Sequence, residues 1–167
     1  MIDRTESDRT WSIYLSGEIH SDWRQRIADG IEAAGLPVEL TGPVTSHGAS
    51  DDCGVAIFGP EDDKFWHDVK GARLNAVRNR VLIEEADVVV VRFGDKYRQW
   101  NAAFDAGFAA SLGTPIITLH PPEIDHALKE IDGAAHATAR KPEQVVQALV
   151  YLIRAELPGP RAVETGD

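Results

Sequence analysis

Asp105 is the one acid in the segment Gln99–Leu112 (QWNAAFDAGFAASL), whose other residues are mostly Ala, Gly and Phe. A carboxylate there cannot serve to solvate a polar helix face, because the segment has almost none. It must be hydrogen-bonded, ion-paired or partly protonated, since burying an unpaired charge is costly. Two kinds of role fit. Asp105 is either a nucleophile or ribose-binding carboxylate facing a ligand, or a structural partner of Arg78, Arg92 or Arg98. Asn101 lies one helical turn earlier on the same face, with Trp100, Phe104 and Phe108 running down an adjacent one.

A second cluster is Gly17–Arg24 (GEIHSDWR). A glycine at a strand end, followed by a turn into a helix, brings backbone N–H groups toward a phosphate or sugar. The stretch is neither a GxGxxG fingerprint nor a P-loop, so neither a dinucleotide nor a triphosphate is indicated and no cofactor is expected. Glu18 would repel a phosphate and instead suits sugar hydroxyls or proton transfer. The structural alternative has Ser21 capping the helix, Glu18 pairing with Arg24 and His20 as a plain loop residue. The six histidines show no HxxxH or HExxH spacing. His47 with Asp51, Asp52 and Cys53 is the one set that could hold a metal, but it sits in a polar stretch without ligand geometry, and no metal is expected. Trp66 and His67 fit stacking on a base and closing a pocket equally well.

These residues need a scaffold. The pattern predicts strands at Trp11–Ser16, Pro37–Leu40, Val88–Phe93 and Pro115–Leu119. A helix starts at Ser21 or Asp22 and stops at Gly35, and others cover about Val69–Glu85, Gln99–Leu112 and Pro142–Glu156. Thr41–Asp63 reads as a long polar loop. Met1–Thr10 and Pro158–Asp167 read as frayed tails around one domain at residues 11–157. Strands separated by helices predict an α/β three-layer sandwich with a mostly parallel sheet, flavodoxin-like or Rossmann-like. Ligands in such sheets bind at the carboxyl ends of the strands. That rule selects GEIHSD, TGPVTSHG, FGDKYRQWN and HPPE.

Composition narrows the function. A net charge of −10 argues against nucleic-acid polymers, which need clustered Lys and Arg, and against an anionic membrane surface. A single cysteine permits a reducing compartment, and no apolar run approaches a membrane span, so a cytoplasmic protein is expected.

The residues IYLSGE, ADVVVV and AAFDAGFAASLGTPIITL resemble the nucleoside 2-deoxyribosyltransferase superfamily, which includes nucleotide N-glycosidases. More narrowly, YLSGEIHSDWR, GPVTSHGASDD and FGDKYRQWNAAFDAGFAASLGTPII are similar to the YtoQ family, from about Ser12 to Tyr151. The resemblance implies cleavage or transfer at an N-glycosidic bond of a nucleoside or nucleotide. The family's attacking glutamate falls on Asp105, with Phe104 and Gly107 matching and Tyr14 in the first strand. Its other acids fall on Gln99 and near Asn79, and its Gly-Thr pair on Asn101 and Ala102. Asp105 is then the nucleophile and Glu18 a candidate acid/base. Asn79, Trp100 and Asn101 orient sugar and base, Gly17, Ser21 and Arg24 frame the sugar or phosphate end, and His20 and His47 add contacts. The alternative is a ligand-binding protein with a degenerate site and no turnover. A homodimer or higher homo-oligomer is expected, with the small-residue helix around Asp105 packing on a second copy.

Overall fold

The computed structural model describes residues 9–94 and 99–159. The segment 95–98, including Arg98, and most of both expected tails lie outside the described residues. Arg9 does not belong to a tail: it ion-pairs with Asp87 and lies over the Trp11 ring.

Five parallel strands form one sheet in the order β2-β1-β3-β4-β5, with β1 at Trp11–Gly17, β2 at Val38–Thr41, β3 at Val88–Arg92, β4 at Ile116–Leu119 and β5 at Ala137–Ala139. This is the flavodoxin-like order, with its switch point between β1 and β3. The central strand explains its own position. Val88–Val91 are at most 2% exposed, as an uninterrupted apolar run demands, and each contributes about 1.5–3 kcal/mol through burial.

Alternation along β1 sorts the layers. Ile13 and Leu15 face α1 (Trp23–Ala33) and α6 (Pro142–Arg154), where Trp23, Ile27, Ile31, Val145 and Leu149 fill the space. Tyr14 faces the other side, with Ile83 of α3 (Lys64–Glu84), Ala102, Ala106 and Ala109 of α4 (Trp100–Leu112) and Leu128 of α5 (Asp125–Ala134). Ala102, Ala106 and Ala109 thus face the sheet, while Gly107 lies on the exposed side of α4.

Two parts of the sequence reading need correction. Within the expected loop Thr41–Asp63, residues His47–Phe58 form a helix, α2, and α3 begins at Lys64 rather than Val69. The pair crosses backbone to backbone at glycines: a Cβ on Gly54 would lie 2.4 Å from the Lys70 carbonyl carbon, and one on Gly71 would lie 2.7 Å from the Asp51 carbonyl oxygen. Asn75 donates to the Ser50 carbonyl at 2.9 Å, His67 meets Asp52 at 2.9 Å and Lys70 meets Glu61 at 2.6 Å. The second correction is the added unit α5–β5, which extends the sheet from four expected strands to five.

Candidate active site

The site forms where β1 and β3 end side by side. Gly17 has φ 119°, and a Cβ there would lie 2.0 Å from the Arg92 carbonyl oxygen, so only glycine lets the strands stay this close. The Glu18 N–H then donates to that same oxygen at 3.2 Å.

Beyond Gly17 the chain closes on the Glu18 side chain. Its carboxylate accepts the His20 N–H at 2.7 Å, the Ser21 N–H at 3.1 Å and the Ser21 hydroxyl, with Arg92 Nε at 3.9 Å. Burial pushes the Glu18 carboxyl up, but the Ser21 hydroxyl, the two N–H groups and Arg92 outweigh it. The net position is below the usual glutamate range, which keeps Glu18 ionised. Ser21 therefore serves Glu18 and makes no helix-capping bond; Asp22 occupies the cap position without a side-chain bond either. Arg24 does not pair with the Glu18 carboxylate. It stacks on Trp23 at 4.4 Å and donates to the carbonyls of Glu18 at 2.6 Å, Gly17 at 3.1 Å and Leu15 at 3.3 Å.

Asp105 comes from α4, and the small Ala102, Ala106 and Ala109 let that helix lie close to the sheet. Asp105 is 8% exposed, and its Oδ2 accepts the Ser16 hydroxyl at 2.6 Å. Burial pushes its carboxyl up, and the Ser16 hydrogen bond offsets only part of that. Neither Arg78 nor Arg92 pairs with it: Arg78 donates to the Gly42 carbonyl at 2.6 Å and Arg92 to the Leu119 carbonyl at 3.4 Å. Tyr14, two residues before Ser16 on the same strand face, is fully buried. Its phenol is pushed up by burial and then by the Asp105 charge. The Tyr14 hydroxyl and Asn79 Oδ1 are buried with no hydrogen-bond partner among the described residues.

Asp105 opens on a cleft of about 950 Å³. The structure brings Gly17, Glu18, His20, Asn79, Trp100, Asn101 and Asp105 to its walls. Tyr14, Ser21 and Arg24 do not line it; they lie beneath or behind the loop that does. α2 starts at His47, whose side chain lies outside the described residues. The far wall is the α2–α3 pair, which supplies Ser50, Asp51, Asp68, Asn75 and Arg80. Ser16, Ser50, Asp68, Asn75 and Arg80 are not among the residues expected from the sequence, and Asp51 is considered there only within a metal set. Ser16 directly precedes the glycine at the strand end and could have been suspected; the others needed α2 to be recognised as a helix.

Of the metal set considered at residues 47–53, Asp51, Asp52 and Cys53 have separate surroundings. Asp51 faces the cleft, Asp52 meets His67, and the Cys53 sulfur sits 3.3 Å from the Ser50 carbonyl oxygen. Trp66 packs edge-on against Phe65, and neither Trp66 nor His67 lines the cleft. A different polar cluster stands at the end of β4. The buried His120 contacts Asp132 at 3.0 Å and Asp125 at 3.5 Å, and Arg140 pairs with Asp125 and reaches His120 Nδ1 at 3.3 Å.

A parallel sheet in this order, with a buried carboxylate at its switch point, is an α/β domain of the class whose ligands bind at the strand ends. Its fold is similar to that of a 2-deoxyribosyltransferase from Bacillus psychrosaccharolyticus, with a TM-score of 0.54 at 18% identity over 81% of this chain and 90% of that one. It is also similar to a conserved protein from Enterococcus faecalis V583, with a TM-score of 0.59 at 14% identity over 84% of this chain and 98% of that one. The family described as "Nucleoside 2-deoxyribosyltransferase YtoQ" matches residues 14–153, and the chain belongs to it. The uncharacterized protein YtoQ of Bacillus subtilis (strain 168) is 39% identical over 144 residues, covering 86% of this chain and 97% of that protein.

The raised Asp105 carboxyl makes a signed prediction. The native group keeps its proton at pH values where the unfolded one has lost it, so stability falls as pH rises from the ordinary 3.8 through the raised native value. Asp105→Asn removes this penalty and can keep a bond to Ser16. The variant is expected to melt above wild type at pH 7 in a thermal denaturation series, with the gap closing below about pH 3.8. A lower melting temperature than wild type at pH 7 would instead mark Asp105 as a structural charge.

Proposed function

We propose that this chain cleaves the N-glycosidic bond of a nucleoside or nucleotide, passing the sugar to water or to a second base, with Asp105 as the nucleophile. The observation that carries the reading is the state of Asp105. It is buried at the switch point with one oxygen fixed by Ser16 and the other without a hydrogen bond among the described residues, beside a cleft roomy enough for a nucleoside. Fixing Oδ2 orients Oδ1 for attack on the anomeric carbon, and such pre-orientation lowers the entropic part of the barrier. Release of the base leaves a sugar ester on Asp105, which water or an incoming base then resolves. Glu18, held ionised, acts on this second step as an acceptor for the proton of water. Asn79, Asn101 and His20 contact sugar hydroxyls, and Trp100 stacks on the base. The named activity of the Bacillus psychrosaccharolyticus relative supports the same chemistry.

One observation favours a second reading. Burial holds the Asp105 carboxyl toward its protonated form, which binds a sugar hydroxyl but does not attack carbon. A binding protein of this kind would show nucleosides raising the melting temperature with no base released.

The deciding experiment incubates the protein with a panel of ribo- and deoxyribonucleosides and their 5′-phosphates and follows free base. Release is expected from at least one member, reduced about 10³-fold or more in Asp105→Ala. No release from any member, or full turnover by Asp105→Ala, contradicts the proposal. We also infer a homo-oligomer, through the exposed side of the small-residue helix α4 around Gly107. Gel filtration at the mass of one chain would remove that inference.

A further inference from the structure

The charges on the cleft walls point to a narrower class of substrate. Glu18, Asp51, Asp68 and Asp105 all line the cleft, whereas Arg80 is the one lysine or arginine doing so among the described residues. Arg80 is already engaged, bonded to Glu84 at 2.9 Å and lying 5.7 Å over the Phe108 ring. Asp51 has no ion-pair partner among the described residues, and Asp68 has only a distant, exposed one, Lys64 at 3.7 Å. Trp100, Phe104 and Phe108 add aromatic faces to the same cleft, with Trp100 and Phe104 more than 70% exposed. Acidic walls combined with open aromatic rings favour a flat cation.

A second line concerns proton supply. A neutral base leaves a sugar readily only if an acid protonates it. Glu18 is a poor source, since its carboxylate already accepts from the Ser21 hydroxyl and from the N–H groups of His20 and Ser21. Asn79 and Gln99, which also face the cleft, carry amides that have no proton to give as acids. The Tyr14 hydroxyl, fully buried and without a hydrogen-bond partner among the described residues, does not line the cleft.

We infer that the substrates of this cleft are N-glycosides whose base bears a fixed positive charge, such as pyridinium ribosides and N7-alkylated purine nucleosides. The inference rests on the N-glycosidic reading above. With such a substrate no acid is needed. Asp105 Oδ1 bonds to the anomeric carbon as the carbon–nitrogen bond breaks. The bonding pair moves onto the ring nitrogen and cancels its charge, so the base departs neutral. Water then attacks the anomeric carbon, Asp105 leaves with the ester pair as a carboxylate, and the proton of water passes to Glu18 and on to solvent. A cation above Asp105 would also draw its buried carboxyl toward the ionised form that attacks.

The test pairs charged and neutral probes on the same sugar: 7-methylguanosine against guanosine, and nicotinamide riboside against inosine, each also as the 2′-deoxy form. Base release is measured after subtraction of the uncatalysed rate. The charged members are expected to have a kcat/KM about tenfold or more above the neutral ones. That ratio is expected to fall several-fold in the double variant Asp51→Asn/Asp68→Asn and in wild type as sodium chloride is raised. Both substituted residues are exposed, and the salt series needs no variant, so a folding defect would not blunt the test. Neutral nucleosides turned over as well as charged ones would overturn this inference and leave the N-glycosidic reading standing. So would a charged preference that neither salt nor the double variant changes, since it reports only the lability of the leaving group. No release from any probe overturns this inference, and no release from the nucleoside and 5′-phosphate panel above overturns both.

Discussion

The hydrogen bond from Ser16 to Asp105 joins the end of β1 to the second turn of α4, and much of the structure exists to make it possible. A carboxyl group placed under a helix and 8% exposed is unfavourable without a donor. The donor has to come from a strand end, because farther down β1 the same face is given to Tyr14, in the apolar layer. α4 must in turn lie close enough for a short side chain to reach, which is what Ala102, Ala106 and Ala109 allow. Larger residues at those positions would lift the helix off the sheet and separate Asp105 from Ser16.

The same end of the sheet imposes a second condition. β1 and β3 are in contact up to Gly17 and Arg92, where a Cβ on residue 17 would have no room beside the Arg92 carbonyl oxygen. Immediately afterwards the chains must part to leave a crevice. Glu18 manages the parting by drawing the N–H groups of His20 and Ser21 onto its carboxylate, while Trp23 and Arg24 donate to the Glu18 carbonyl from the other side. The loop is thus fixed from both faces, and its acid is charged for that reason. The two cleft carboxyls are pushed in opposite directions, Asp105 up by burial and Glu18 down by its donors. The proposed nucleophile and the acid that organises the loop differ in this way even though both are carboxyls.

The parallel layered fold was legible because apolar runs such as Val88–Val91 and stops such as Gly35 report burial and chain reversal locally. Asp105 was legible for a related reason, as a charge out of place in an apolar segment. α2 was not. HGASDDCGVAIF carries no helical stripe, because its contacts to α3 run through glycine backbones at Gly54 and Gly71 rather than through a row of large side chains. Missing α2 hid the place of Asp51 on the cleft wall. β5 is three residues long and mostly exposed, so it too gave no periodic signal. The pairing of Ser16 with Asp105 spans 89 positions, and no local pattern encodes a contact of that range.

The claim that Asp105 forms a bond to the sugar can be examined on the protein itself. A 2-deoxy-2-fluoro nucleoside slows breakdown of a glycosyl ester by destabilising the positive charge that develops on the sugar. Intact-mass and peptide mass spectrometry after incubation with such a probe should show one added fluorosugar, carried by the peptide containing Asp105 and absent from Asp105→Asn. Base released with no adduct, or an adduct on another side chain such as Glu18, would contradict the account.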